Sequence, residues 1–247
     1  MHRSAPRLTR ILACAAVPVM LVVAGCSSDS DSENKSDKTS KSGNSPGSSS
    51  QQSPASKESA ATVAPAKYAK LPAPCKSLSA KTVEGLVPKV KNKAGTEGTS
   101  SDTTLRSGCS WNGLEDKGVK GSNYRWLDVS FLRYESDASL GSGEQRAQEA
   151  FKKEAAKTAA TDGAKKVAKS PATGVGDEAT AIAFELKKTD VTFKYATVVA
   201  RTGNIVVTLG YNGAGYAGAK SPAAADLMKG AVKAAKEAAA AVATANK

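Results

Sequence analysis

Histidine is nearly absent from this sequence of 247 residues. The single histidine, His2, lies in an N-terminal segment that has the features of a cleaved secretion signal. Without it, the chain has no Ser–His–Asp or Cys–His catalytic arrangement and no histidine metal site. A Ser–Lys pair or two carboxylates are the remaining catalytic options, but no spacing in the sequence forces two acids together. We therefore expect no catalytic residue, no metal, no cofactor and no enzymatic activity.

Aromatic residues are also scarce and make up 5% of the sequence. The formal net charge of +12 would otherwise favour a nucleic-acid partner. Proteins that bind single strands stack the bases on aromatic side chains, and few such side chains are available here. We therefore predict no nucleic-acid partner.

A long apolar run is the third missing feature. Residues 11–23 are mainly apolar, but a membrane-spanning helix needs roughly 20 such residues. The run follows three arginines and ends in Val23-Ala24-Gly25-Cys26, which is typical of a secretion signal. The tetrapeptide resembles the lipobox of bacterial lipoproteins, which implies a diacylglyceryl group on the Cys26 sulfur and cleavage just before Cys26. The alternatives are an ordinary cleaved signal with an incidental cysteine and an uncleaved anchor helix.

The lipobox divides the chain into three predicted parts. We predict a signal peptide at 1–25, a lipidated cysteine with a disordered tether at 26–66, and a single extracytoplasmic domain at 67–247. The tether is rich in Ser and has almost no large apolar residue, so it cannot offset the entropy of an ordered chain. Two or three acyl chains, palmitate among them, would anchor the protein stably to the outer face of the cytoplasmic membrane.

Two cysteines, Cys75 and Cys109, lie in the predicted domain. An even pair in an oxidising compartment favours a disulfide, which would stabilise the domain by about 3–4 kcal/mol in the loop-entropy model. Two free thiols and half of a metal site are the alternatives.

The hydrophobic periodicity predicts helices and strands in alternating groups. We expect a short helix near 79–88, strands at 104–111 and 124–134, a helix at 143–158, strands at 179–186, 191–200 and 205–211, and a long helix that opens at Ser221-Pro222. Short connections between the last strands require antiparallel neighbours. The prediction is an α+β domain in the order α-β-β-α-β-β-β-α, with an antiparallel five-stranded sheet, helices on one face and one disulfide.

Four short segments resemble a known family of actinobacterial lipoproteins, domain of unknown function 3558. They are Pro74-Cys75 before a short helix, Cys109-Ser110-Trp111 on a strand, the turn Gly174–Ala179 and the turn Arg201–Asn204. The resemblance spans about residues 71–242. It implies a disulfide between the two cysteines, a fold similar to the extracellular sensor domain of a mycobacterial Ser/Thr kinase, and no reaction.

Two glycine-containing motifs have the appearance of phosphate sites. Residues 213–218 satisfy G-x-G-x-x-G, but the predicted helix begins after the motif and no second strand follows, so we expect a flexible connecting loop. In the turn at 174–178 adjacent acids would repel a phosphate, so we expect a tight turn in which Asp177 bonds its own backbone.

Two surfaces are candidates for binding. Tyr124, Trp126 and Tyr134 share one face of a strand and form a possible ligand face, unless Trp126 instead closes an edge of the core. A lysine-rich segment could contact anionic lipid or wall polymer at about 1 kcal/mol per side chain, or form an ordinary solvated face. These lysines are Lys152, Lys153, Lys157, Lys165, Lys166 and Lys169.

The sequence therefore predicts a non-enzymatic, lipid-anchored binding or sensor-accessory domain of unknown ligand. The membrane is its expected partner through the lipid, with an anionic envelope polymer or a protein as possible further partners. An envelope interaction module that uses the lysine surface is the alternative, and a Ser–Lys or paired-acid hydrolase is a third hypothesis.

Overall fold

Residues 63–247, which the computed structural model describes, form one antiparallel sheet of seven strands with three α-helices. In chain order these are α1 (Ala80–Leu86), β1 (Thr96–Glu97), β2 (Arg106–Asp116), β3 (Ser122–Arg133), α2 (Gly143–Ala159), β4 (Lys165–Pro171), β5 (Glu178–Lys188), β6 (Val191–Thr202), β7 (Ile205–Tyr216) and α3 (Ala224–Ala245). The strand order across the sheet is β1-β2-β3-β7-β6-β5-β4, so β7 lies at its centre.

The predicted five-stranded sheet is wrong, because β1 and β4 each add a strand at one edge. The β1 strand has two residues, too few for a periodic pattern. Every residue of β4 is exposed, so its sequence carries no alternation of apolar and polar side chains. Its lysines, Pro171 and a register break between Lys165 and Ala168 are features that protect an edge strand from pairing with other chains.

The prediction that the helices lie on one face of the sheet is also wrong. Helices α1 and α3 pack on one face of the sheet, where they cover Val198 of β6 and Leu209 of β7. Helix α2 packs on the opposite face through Phe151, against Ile182 and Val199. Because successive side chains of a strand point to opposite faces, β6 supplies apolar groups to both layers. The alternation in the sequence defined these faces correctly but did not show that both of them are covered.

The predicted disulfide is confirmed. Cys75 and Cys109 are joined, with their Cα atoms 5.1 Å apart. Cys75 belongs to a short 3-10 turn, Pro74–Lys76, and Cys109 lies on β2. The bond therefore ties the segment that enters the domain to a strand near the edge of the sheet.

The G-x-G-x-x-G segment is mostly strand, which corrects the predicted flexible loop. Residues 213–216 continue β7, and α3 begins at Ala224 instead of at Ser221-Pro222. A Cβ atom on Gly213 would lie 2.7 Å from the Tyr124 carbonyl oxygen. These glycines therefore allow backbones to approach each other closely, which is a packing role. The Ser221 hydroxyl accepts a hydrogen bond from the Gly215 amide.

The turns at residues 174–179 and 201–204 contact each other through hydrogen bonds and ion pairs. Asp177 accepts a hydrogen bond from the Gly203 amide at 2.6 Å, so it does not bond its own backbone as predicted. The Arg201 guanidinium forms ion pairs with Asp177 and Glu178 and donates to the Gly203 carbonyl. The segment 174–178 is therefore a structural clamp at the end of the β6–β7 hairpin.

Asn204 fixes the beginning of the domain to the sheet. Its side chain is fully buried, accepts a hydrogen bond from the Tyr68 amide, and donates to the carbonyls of Tyr68 and Tyr134. Every one of these partners is a backbone group, so the interaction depends on chain geometry more than on the identity of the neighbouring side chains.

Within residues 63–247, no helix is both long and apolar enough to cross a membrane.

Candidate functional site

An open groove lies on the sheet face that carries α2. Helix α2 covers only one end of this face, where it packs on Ile182, Phe184, Val199 and Val206. The other end forms a concavity of about 610 Å³, which is within the usual size of ligand clefts. The groove runs along β7, with side chains of β3 on one side and of β6 on the other.

Strand register brings the groove residues together. Trp126 on β3 pairs with Asn212 on β7, and Asn212 pairs with Tyr195 on β6. One step along the same face, Asp128 pairs with Gly210. A Cβ atom on Gly210 would lie 2.6 Å from Asp128 Oδ1. Because Gly210 has no side chain, the Asp128 carboxyl can lie over β7, the central strand.

Asp128 is the most strongly perturbed titratable group of the groove. Burial raises the pKa of its carboxyl from 3.8 to about 6, against the opposing effect of a hydrogen bond from Trp126. In that bond the Trp126 indole Nε1 donates to Asp128 Oδ1 at 2.9 Å. Among the residues that the structure describes, no lysine or arginine forms an ion pair with Asp128. Asp128 is half-buried, and a carboxylate that is partly removed from water without a cationic partner is destabilising; groups of this kind concentrate at functional sites.

Aromatic rings line the end of the groove that is farthest from α2. The rings of Tyr124, Phe193 and Tyr216 are mutually close to perpendicular, with centroids 6.0–6.5 Å apart. Burial raises the pKa of the Tyr124 phenol, and the neighbouring phenols of Tyr216 and Tyr195 raise it further. The tyrosine hydroxyls therefore lie close enough to influence one another.

Lys188 occupies two of the aromatic faces. Its Nζ lies 5.5 Å from the centroid of Phe193 and 5.7 Å from that of Tyr195, distances typical of a cation–π contact. Tyr195 is also stacked on Phe184, with centroids 4.7 Å apart, and Phe184 belongs to the core under α2. The wall on the β6 side is thereby held in place by the packing of α2.

Several polar groups of the groove have no internal partner. Within residues 63–247, no hydrogen bond is made by the Asn212 side chain, by Asp128 Oδ2 or by the hydroxyls of Tyr124, Tyr195 and Tyr216. The groove therefore presents an acceptor, an amide and hydroxyl groups on a largely aromatic surface.

The predicted ligand face is only partly assembled by the fold. Tyr124 and Trp126 lie in the groove. Tyr134 lies beyond the end of β3, packed beside α2 with the Arg146 guanidinium 5.7 Å from its ring. Ten residues separate it from Tyr124, roughly 33 Å along an extended chain. Tyr134 is therefore not part of the groove.

The groove residues from β5, β6 and β7 were missed by the sequence analysis. Phe193 and Tyr195 gave the same alternating signal as core residues, and Asn212 preceded a glycine-rich segment that resembled a loop. Only the pairing of β3 with β7 and of β7 with β6 places them beside Trp126. If the strand predicted at 205–211 is continued to residue 216, the alternation of side chains places Asn212 and Tyr216 on this face.

The predicted lysine surface is divided between two elements. Lys152, Lys153 and Lys157 are exposed on α2, whereas Lys165, Lys166 and Lys169 are exposed on β4. Lys157 pairs with Glu154 at 3.8 Å and Lys166 with Glu185 at 3.0 Å. Acidic neighbours therefore partly neutralise this surface.

The residue types that could form a catalytic pair or a metal site are dispersed in the part of the chain that the structure describes. There, no serine hydroxyl is hydrogen-bonded to a lysine, and no group of three His, Cys, Asp or Glu side chains has the geometry of a metal site. Cys26 and the predicted signal and tether up to residue 62 lie outside the described residues.

Comparison with known proteins gave little similarity. No family model matches the chain, and no curated protein matches its sequence. One similar solved structure is the crystal structure of LpqN, involved in cell envelope biogenesis of Mycobacterium tuberculosis. It is 15% identical, with a TM-score of 0.27 over 59% of this chain and 82% of that chain. At this level the likeness carries no argument about fold or function, and the resemblance to domain of unknown function 3558 stays a prediction.

Proposed function

We propose that this protein is a non-enzymatic binding domain, held at the outer face of the cytoplasmic membrane by lipid on Cys26, that takes its ligand in the β3–β7–β6 groove. The observation that carries the proposal is the Asp128 carboxyl, which is half-buried, has a pKa raised to about 6 and is hydrogen-bonded only to Trp126 among the described residues. A ligand that supplies hydrogen bonds to this carboxylate would compensate part of its desolvation.

The fold itself does not require a carboxylate at this position. An apolar or amide side chain would fill the same space over Gly210 without the cost of burying a charge. Of the surrounding groups, Tyr195 packs against the core under α2, whereas Tyr124, Trp126 and Asn212 belong to neither buried core. The concentration of such groups in one concavity supports a binding role.

The lysine surface supports the alternative function less well. Its members are distributed over α2 and β4, and two of them are paired with glutamates. Exposed pairs and solvated lysines of this kind are common on protein surfaces without a binding role.

Tryptophan fluorescence provides a direct test. The protein has two tryptophans, Trp111 and Trp126. Trp111 is buried in the core, whereas Trp126 is half-buried in the groove. Full-length protein in detergent would be titrated with the carbohydrate, lipid and protein fractions of a bacterial envelope extract. We expect one fraction to change the emission of the wild type, and we expect the Trp126→Phe variant to show no change.

The same experiment can contradict the proposal. A response that is undiminished in Trp126→Phe would place the binding elsewhere, and the absence of any response would count against a binding domain. Mass spectrometry of the bound fraction before and after prolonged incubation tests the enzymatic alternative, since a chemically altered ligand would show catalysis.

A further inference from the structure

We infer that the ligand of the groove is a neutral carbohydrate, with a sugar ring beside Trp126 and its hydroxyls bonded to Asp128 and Asn212. This inference rests on the proposed function and specifies the class of ligand.

The hydrogen-bonding groups of the groove match sugar hydroxyls. Asp128 accepts, the Asn212 amide donates and accepts, and the tyrosine hydroxyls do both. A sugar hydroxyl also donates and accepts, so it can pair with each of these groups. A bond from a neutral hydroxyl to a carboxylate is charge-assisted and therefore among the stronger ones.

The aromatic surfaces match the remaining part of a sugar ring. The faces of a pyranose carry C–H groups, which pack against aromatic rings in the way that other apolar groups do. The bond from Trp126 Nε1 to Asp128 fixes the orientation of the indole before a ligand arrives. A fixed ring loses little conformational freedom on binding, which favours affinity.

The dimensions of the groove suit more than one ring. Asp128 and Asn212 are diagonal neighbours on adjacent strands, about 7–8 Å apart at the backbone. A single ring across β7 can therefore reach both side chains. From Asp128 to Tyr124 the groove extends a further four residues along β3, about 13 Å, which is longer than one sugar ring. We therefore expect an oligosaccharide to bind more tightly than a monosaccharide.

Other ligand classes fit the groove less well. An acyl chain would bury Asp128 and Asn212 without hydrogen bonds, at the desolvation cost of both groups. An organic cation would compete with Lys188, whose ammonium already lies over Phe193 and Tyr195. An anion would be placed beside the Asp128 carboxylate, which no cation neutralises within the described residues.

Defined probes test the class of ligand in the full-length protein. Wild-type protein would be titrated with maltotriose, with a manno-oligosaccharide and with an arabino-oligosaccharide, each followed by Trp126 emission. Tetramethylammonium and decanol represent the cationic and the apolar alternatives. We expect at least one sugar to saturate the response, and we expect Asp128→Asn to weaken its binding by about tenfold.

A matched control separates the groove from general surface charge. The triple variant Lys152→Gln, Lys153→Gln and Lys157→Gln changes exposed side chains of α2 on the outside of the molecule. It should bind the sugar with unchanged affinity. The emission of Trp111 reports whether each variant is folded, because this side chain is buried in the core.

The outcomes distinguish failure of the inference from failure of the proposed function. In one outcome no sugar binds, but tetramethylammonium or decanol gives a response that the Trp126→Phe variant lacks. The ligand is then not a carbohydrate, and the groove is still a binding site. If neither the probes nor the envelope fractions bind, both are wrong. Vesicles with the same sugar as a glycolipid headgroup, compared with the free oligosaccharide, show whether the ligand is a lipid headgroup or a wall polysaccharide.

Discussion

Replacement of Asp128 by Asn should stabilise the folded domain at neutral pH. Burial raises the pKa of this carboxyl from 3.8 to about 6. The folded protein therefore holds the proton more tightly than the unfolded chain does. The contribution of the protonated carboxyl to stability is fully present below about pH 4 and is lost as the pH rises through about 6. At pH 7 the carboxyl of the wild type is mainly ionised, so the folded protein bears the cost of holding this charge partly out of water.

The size of this cost follows from the shift in pKa. A shift of about two units corresponds to about 3 kcal/mol at 1.36 kcal/mol per unit. Asp128 is partly accessible to water, which reduces the cost. We therefore expect Asp128→Asn to raise the free energy of unfolding at pH 7 by about 1–3 kcal/mol. The amide keeps an oxygen that can accept the hydrogen bond from Trp126, so the packing of the groove should be preserved.

Urea denaturation at a series of pH values measures the effect. The difference in unfolding free energy between Asp128→Asn and wild type should increase from pH 4 to pH 7 and then level off. Ser130→Ala provides a matched control, because Ser130 lies two residues along the same strand face and does not titrate. Its effect should be the same at every pH. A difference between Asp128→Asn and wild type that does not change with pH would refute the reasoning.

Three further predictions concern the anchor and the framework. Asn204→Ala leaves the Tyr68 and Tyr134 backbone groups unpaired and should lower the free energy of unfolding by about 2–4 kcal/mol; a loss below 1 kcal/mol in urea denaturation would contradict the assigned role. Removal of the disulfide by Cys75→Ala and Cys109→Ala should cost about 3–4 kcal/mol in the same assay, and an unchanged midpoint would show that the loop is constrained by other contacts. Cys26→Ser should move the protein from the membrane fraction to the medium or the soluble fraction, whereas full retention in membranes would argue for an uncleaved anchor helix.

Local sequence patterns predicted much of the framework. Alternation along residues 124–134 identified β3 and separated Leu127 from Trp126, because successive side chains of a strand point to opposite faces. The pair of cysteines in the predicted domain led to the disulfide, which the structure confirms. These signals are local, or depend only on residue type, and tertiary contacts do not erase them.

The edge strands and the position of α2 did not follow from such patterns. Strand β4 has no buried side chain, so it leaves no hydrophobic period in the sequence. The apolar residues of β6 on both of its faces, Val198 and Val199, are consistent with a helix on either side. Which helix covers which face depends on the path of the chain between the strands, and this path is decided by packing.

The sequence by itself determined that Trp126 and Asp128 share a strand face, because two residues of separation along a strand fix that relation. It did not determine what lies opposite them. Antiparallel pairing of β3 with β7 and of β7 with β6 brings Asn212 and Tyr195, which are remote in sequence, to the same row as Trp126. The absence of a side chain at Gly210 then lets the Asp128 carboxyl lie over the sheet. The groove exists only in the tertiary structure, since it depends on strand register and on the end of the sheet that α2 leaves uncovered.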